Sequence, residues 1–194
     1  MGLTGGLGAG KSEALRALSE LGAATLSTDA VVHELLAGDE LREIVTARLG
    51  DEVAPDGRLD RSLIAERVFG DEEARAWLEG ELWPRVGGRM MEWKQEVDAQ
   101  DPPPRAAVVE VPLLFESGME AAFAATIAVV ADEDVRAERA GARSHAALSE
   151  RSARQLSQEE KAERADFEVR NDGSLEELKE TLSRVLARLD AKPP

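Results

Sequence analysis

Gly5-Gly6-Leu7-Gly8-Ala9-Gly10-Lys11-Ser12 is the stretch on which the reading of this 194-residue chain turns. It fills every fixed position of the pattern G-x-x-x-x-G-K-[ST]. Glycines at 5, 6, 8 and 10 open backbone turns that a Cβ would close, so successive N–H groups can converge on an anion. Lys11 then reaches the outer phosphates of a nucleotide, and the Ser12 hydroxyl is the kind of oxygen that binds Mg²⁺. Gly2-Leu3-Thr4 before the loop reads as a strand. Ala14, Leu15, Leu18 and Leu21 after it fall at helical spacing, with Gly22 placed to end the helix. A helix starting at the loop adds its N-terminal dipole to the attraction for phosphate. Gly6, Gly8, Ala9, Gly10, Lys11, Ser12 and Glu13 are therefore the expected nucleotide-binding set, with Ser12 as the metal-binding residue.

The alternation of strand and helix continues beyond the loop. Residues 23–26 form a short apolar run, a second strand, and Ser27-Thr28-Asp29 leads into a helical pattern of Val31, Val32, Leu35 and Leu36 that stops at Gly38. Residues 39–99 change character. Leu41, Ile44, Val45 and Leu49 are followed by a Pro-Asp-Gly turn at 55–57 and then by Leu63, Ile64, Val68 and Phe69. That is more helix than one crossover between strands needs, so it reads as an inserted helical subdomain, left through Asp101-Pro102-Pro103-Pro104. Residues 106–111 and 125–130 are further strands, 132–164 are helical and charge-rich, and 166–169 are a weak last strand. Ser174 and Glu177 form a capping box for a terminal helix. The expected fold is α/β, a P-loop NTPase-type three-layer sandwich. Its parallel sheet has about five strands, with a helical insertion and a helical lid.

Composition narrows the partners. The chain carries a net charge of −15, which argues against general affinity for nucleic acid. Residues 135–164, with Arg136, Arg139, Arg143, Arg151, Arg154 and Lys161, are net basic and could supply a local field for an anionic ligand or simply form a solvated helix of mixed charge. No run of residues approaches a membrane span, and Met1 leads straight into the loop, so no leader is expected. The absence of cysteine excludes disulfides and thiolate metal sites and fits a cytoplasmic protein. His33 and His145 lack partners at metal-ligand spacing, and Trp77, Trp83 and Trp93 read as packing residues.

Several segments taken together narrow the reading further. They are the loop with its flanks, Gly2 to Ser12; Asp29 after the second strand; Gly57-Arg58-Leu59-Asp60-Arg61 with Leu63 and Val68-Phe69; and Val111-Pro112-Leu113-Leu114-Phe115-Glu116. Downstream come Arg139, Arg143, Arg151, Gln155 and Lys161, then Ala165-Asp166 and Asn171-Asp172-Gly173-Ser174. In this order they resemble the dephospho-CoA kinase family over nearly the whole chain. The resemblance implies ATP-dependent phosphorylation of the 3′-hydroxyl of dephospho-CoA, with ATP and Mg²⁺ as cofactors and no nucleic-acid or membrane partner. It implies a nucleotide-binding core of residues 1–30, 103–135 and 165–194, an acceptor-binding helical subdomain of 31–102, and a lid of 136–164. A monomer is expected. The chain departs from the family pattern at Ser27, where an acid is usual, at Glu13 for Thr, and at Trp83-Pro84 for His-Pro.

The resemblance assigns roles residue by residue. Lys11, Asp29, Arg139 and Arg143 are the catalytic candidates, and Asp29 and Arg61 the acceptor-binding ones. Asp29 lies just beyond a strand end, where open parallel sheets bind ligands, and a carboxylate there can take a proton from an attacking hydroxyl. The other reading of Asp29 is a cap for the helix that follows. Arg139 and Arg143, four residues apart, share a helix face from which a lid brings charge onto the phosphoryl group; the alternative is a surface pair bridged to neighbouring acids. Glu110 at the end of a hydrophobic strand could hold Mg²⁺ through water, and Glu116 reads as a helix N-terminal acid. Three alternatives stay open. These are a nucleoside or nucleotide kinase relative with another acceptor, a nucleotide-binding member without turnover, and a nucleotide switch, against which the missing Asn-Lys-x-Asp motif speaks.

Overall fold

The computed structural model describes residues 1–140 and 155–190. Among them, strands β1 (Gly2–Gly5), β2 (Ala24–Ser27), β3 (Ala107–Glu110), β4 (Thr126–Val130) and β5 (Phe167–Arg170) form one parallel sheet. Their order is β2-β3-β1-β4-β5, with the glycine-rich loop leaving the middle strand at its carboxyl end. The helices are α1 (Lys11–Glu20), α2 (Thr28–Ala37), α3 (Asp39–Leu49), α4 (Arg61–Val68), α5 (Glu72–Asp98), α6 (Glu133–Ala140), α7 (Gln158–Arg164) and α8 (Leu175–Asp190). The α/β architecture with five parallel strands follows the sequence expectation, each strand within a residue or so of its anticipated ends. Among the described residues no helix is long and apolar enough to cross a membrane. The chain divides into two units, Met1–Ser27 with Val97–Pro194, and Thr28–Glu96.

The first unit is built on the sheet. Leu3, Val108, Ile127, Val129 and Val169 project from one face into a core with Ala14, Ala17 and Leu18 of α1 and Leu178, Leu182 and Leu186 of α8. This is the near-continuous hydrophobic pattern that strands covered on both faces require. Gly22 (φ 91°) stops α1 as expected: its N–H donates to the Ser19 carbonyl and that of Ala23 to Leu18, a paired C-terminal closure. Ser174 and Glu177 form the anticipated capping box, and the Ser174 backbone N–H holds the Glu177 carboxyl below its usual pKa.

The segment after β3 differs from expectation. Residues 112–118 are a series of turns rather than a helix start. Glu116 is therefore no helix N-terminal acid. Its Oε1 pairs at 3.0 Å with Lys161 Nζ of α7 and accepts the Leu156 N–H at 2.9 Å. Lys161 is fully buried, and its ammonium also donates to the Pro112 carbonyl, which Thr4 Oγ1 of β1 shares. The second carboxylate oxygen of Glu116 is buried and unpartnered among the described residues. Two other contacts tie α7 and its exit to β4. The Gln158 side-chain amide makes two hydrogen bonds to the Ala131 backbone, and Asp166 accepts both the N–H and the hydroxyl of Thr126.

The second unit is all helical in its regular structure. Leu36, Leu41, Val45, Leu49, Val53, Ile64, Ala74 and Leu78 form its core, with Trp77 packed against it and Trp83 partly exposed. Asp60 caps α4, accepting from the N–H groups of Ser62 and Leu63. Helix α5 runs through Pro84. A proline ring clashes with the carbonyl four residues earlier and removes a hydrogen bond. Here that earlier residue is Gly80, and Arg85 donates a side-chain bond to the neighbouring Glu81 carbonyl.

The buried pair gives a stability test. Lys161→Met leaves Glu116 without its cation and lowers the unfolding free energy by about 3 kcal/mol, as loss of one partner of a buried pair does. The double variant Lys161→Met/Glu116→Leu recovers most of that loss, read from urea unfolding of the three proteins.

Candidate active site

The carbonyls of the glycine-rich loop are held by side chains. Lys11 Nζ donates to the carbonyls of Gly5 at 3.0 Å and Gly6 at 3.1 Å. Arg136 Nε of α6 donates to Leu7 at 2.9 Å, and Asn171 Nδ2, just past β5, donates to Ala9 at 3.0 Å. In a trans peptide the C=O and the next residue's N–H point in opposite directions. A carbonyl fixed outward therefore turns the following N–H inward. The Leu7 bond aims Gly8 N–H and the Ala9 bond aims Gly10 N–H. Neither N–H has a protein acceptor among the described residues. Two such N–H groups at the start of α1, turned away from Arg136 and Asn171, are what an anion-binding concavity requires.

Two glycines are required by this geometry. Gly8 (φ 74°) lies against α6, where an added Cβ would be 2.6 Å from the Arg136 carbonyl oxygen. Gly10 (φ 89°) is left-handed, and a Cβ there would collide with the Asn171 amide. Asn171 is 2 % exposed, and its own backbone is anchored twice, the N–H on the Val130 carbonyl and the carbonyl accepting from Arg139 Nη1 at 2.8 Å. Nearby, Arg170 bridges Asp132 and Asp172, and the Asp172 carboxylate accepts the Asp132 N–H. The hydrogen bond and charge of Asp172 keep the Arg170 guanidinium above its ordinary pKa.

The other anticipated residues fall as follows. Ser12 is exposed in the first turn of α1, with no hydrogen-bond partner for its hydroxyl among the described residues. Glu13 turns along the helix to Arg16 at 3.5 Å. Glu110 is buried at the end of β3, in register with Leu3 of β1 and Ser27 of β2. Asp29 and Arg61 belong to the helical unit. Helix α2 already begins at Thr28, so Asp29 sits inside the first turn rather than before it. Its exposed carboxylate makes no capping bond. Arg61 is exposed in the first turn of α4. Arg139 meets Asn171 rather than a neighbouring acid. Arg143, Arg151, Arg154 and His145 lie outside the described residues.

Sequence reasoning left Arg136 without a role and treated Asn171 as part of a pattern only. Their partners are backbone carbonyls 129 and 162 residues away, which no local signal marks. The spacing of Arg136 and Arg139 on one helix face was the available hint. Asn171→Ala leaves the buried Ala9 carbonyl unpaired and is expected to cost about 1–3 kcal/mol in urea unfolding.

Comparison with known proteins adds an independent finding. The family model described as dephospho-CoA kinase matches residues 1–177. A dephospho-CoA kinase of Protochlamydia amoebophila is 38% identical over 192 residues, covering 96% of this chain and 94% of that protein. A crystal structure from Thermus thermophilus superimposes with a TM-score of 0.82 at 36% identity, covering 97% of this chain and 96% of the other. The dephospho-CoA kinase from Campylobacter jejuni gives a TM-score of 0.69 at 26% identity, over 98% and 96% of the two chains. With its loop, its strand order and these relatives in agreement, the chain belongs to the dephospho-CoA kinase family.

Proposed function

We propose that this protein transfers the γ-phosphoryl group of ATP to the 3′-hydroxyl of dephospho-CoA, giving coenzyme A and ADP. The observation that carries the reading is the loop whose Leu7 and Ala9 carbonyls are tied to Arg136 and Asn171, which leaves the Gly8 and Gly10 N–H groups without a protein acceptor among the described residues. Membership of the family supports the acceptor. In the transfer, the acceptor oxygen forms a bond to the γ-phosphorus as the bond from that phosphorus to the bridging oxygen of ADP breaks, and the hydroxyl proton leaves to a base.

Each residue has a task in this reading. The loop N–H groups and Lys11 hold the β- and γ-phosphates. On ATP binding, Lys11 exchanges the Gly5 and Gly6 carbonyls for phosphate oxygens. Asp29 takes or orients the hydroxyl proton, a role consistent with a carboxylate that caps nothing. Arg139 and Arg143 place charge on the moving phosphoryl group, and Arg61 holds the acceptor. Ser12 and Glu110 offer the hard oxygen donors that Mg²⁺ takes, and the exposed Ser12 hydroxyl has no protein partner among the described residues. When bound, Mg²⁺ neutralises charge on the phosphate oxygens. Residues 31–102 serve as the acceptor subdomain, 136–164 as the lid, and the rest as the nucleotide core. The acting species is a cytoplasmic monomer.

Purified protein with ATP, Mg²⁺ and dephospho-CoA is expected to form ADP and CoA in equal amounts. ADP formed only with another acceptor sinks the proposal, and so does nucleotide binding without turnover. Chelating Mg²⁺ with excess EDTA is expected to stop turnover. Asp29→Asn should lower kcat by roughly 10²- to 10⁴-fold, the usual worth of a general base. ATP affinity and melting temperature should hardly change. A loss confined to stability would assign Asp29 a structural role.

A further inference from the structure

We infer that Arg136 is a positioning residue for the phosphate-binding loop, setting the direction of the Gly8 N–H through the Leu7 carbonyl. The inference rests on the loop being the ATP phosphate site, as proposed above. Three observations converge on it. Arg136 Nε donates to the Leu7 carbonyl at 2.9 Å, on the same peptide unit as Gly8 N–H. The guanidinium lies over Gly6, its Nη2 3.4 Å from where a Gly6 Cβ would stand. The Arg136 backbone is also the wall behind the loop crest, 2.6 Å from a Cβ placed on Gly8. The crest is thus blocked from moving toward α6 by contact and from moving away by the hydrogen bond.

The helix that carries Arg136 is itself fixed. At its start, the Asp132 N–H is held by Asp172 and the Asp132 carboxylate by Arg170. One turn on from Arg136, Arg139 holds the Asn171 carbonyl, and Asn171 in turn holds Ala9. The Leu7 and Ala9 carbonyls are therefore referred to one frame, the ends of β4 and β5. Asn171 makes its tie inside the core. Arg136 makes the matching tie at the crest, where Leu7 is 39% exposed. A peptide unit held at one end only can rotate, and an inward N–H that rotates is lost to the phosphate.

Side-chain length supplies a clean test. The amide nitrogen of Gln stands the same number of bonds from the backbone as Arg Nε, and Met places a methyl carbon there. Arg136→Gln keeps the donor without the charge, and Arg136→Met keeps the stem without the donor. Amide hydrogen exchange of the nucleotide-free protein and steady-state kinetics are measured for both variants. The Met variant is expected to exchange its Ala9 amide, which donates to the Gly6 carbonyl across the crest, faster and to raise KM for ATP about five- to tenfold, the worth of one charge-assisted hydrogen bond at a partly exposed carbonyl. KM for dephospho-CoA and kcat should stay within about twofold, since only nucleotide positioning is touched. The Gln variant should resemble the parent in both readouts. Equal KM values and loop exchange in the Met variant and the parent would overturn the inference, and so would Gln and Met variants that are equally impaired, which would assign the effect to charge. A parent protein that fails to use ATP would count against the proposed function alone, because loop exchange in the free protein still decides the role of Arg136.

Discussion

A trans peptide cannot aim its N–H and its C=O at the same place, and the site of this protein is organised around that constraint. To present N–H groups to an anion, the loop must have somewhere else to put its carbonyls. Lys11 holds those of Gly5 and Gly6 from within the motif until phosphate takes their place. The Leu7 and Ala9 carbonyls are taken by Arg136 and Asn171, which lie far along the chain. The fold exists, from the standpoint of the loop, to bring α6 and the end of β5 beside the end of β1. The order β2-β3-β1-β4-β5 does this, because β1 and β5 flank β4 and their carboxyl ends face the same edge.

The same logic governs the buried charges. Lys161 and Glu116 are an expensive pair to bury, and such a pair is weak evidence for stability. What it achieves here is geometric. Through the Pro112 carbonyl, Lys161 fixes the turns that follow β3, and through Thr4 it refers them to β1. Glu116 in turn holds Leu156, the residue that leads into α7. Phosphoryl transfer needs little covalent chemistry from the protein and depends on placement and charge. A chain that invests buried polar groups in fixing backbone positions around one edge of a sheet suits that requirement.

Much of this was legible in the sequence, and the division has a physical basis. Leu18, Val108, Ile127 and Leu182 carry periodicities that fix helix and strand wherever they occur, so the α/β order could be read directly. Local closures could be read as well, because Gly22 and the Ser174–Glu177 box act on residues three to five positions away. Edge strand β5 was faint because Glu168 and Arg170 face outward and only Val169 is buried. Glu116 was misread because an acid after apolar residues looks the same before a helix and before a turn. Arg136 and Lys161 stood out only as members of a basic segment and, for Lys161, of a family pattern, for a further reason: both act on backbone carbonyls, and any residue type can supply a carbonyl. The loop could be recognised from its own residues, whereas what holds it in shape could not.

The loop is already set for phosphate before nucleotide arrives. A crystal structure of the protein with ADP tests this most directly. Gly5 to Gly10 should keep their backbone course to within about 1 Å, as pre-organised sites do. The Leu7 and Ala9 carbonyls should remain on Arg136 and Asn171, with the Gly8 and Gly10 N–H groups on phosphate oxygens. A loop that has rotated those peptides, releasing Arg136 and Asn171 to reach the nucleotide, would contradict it.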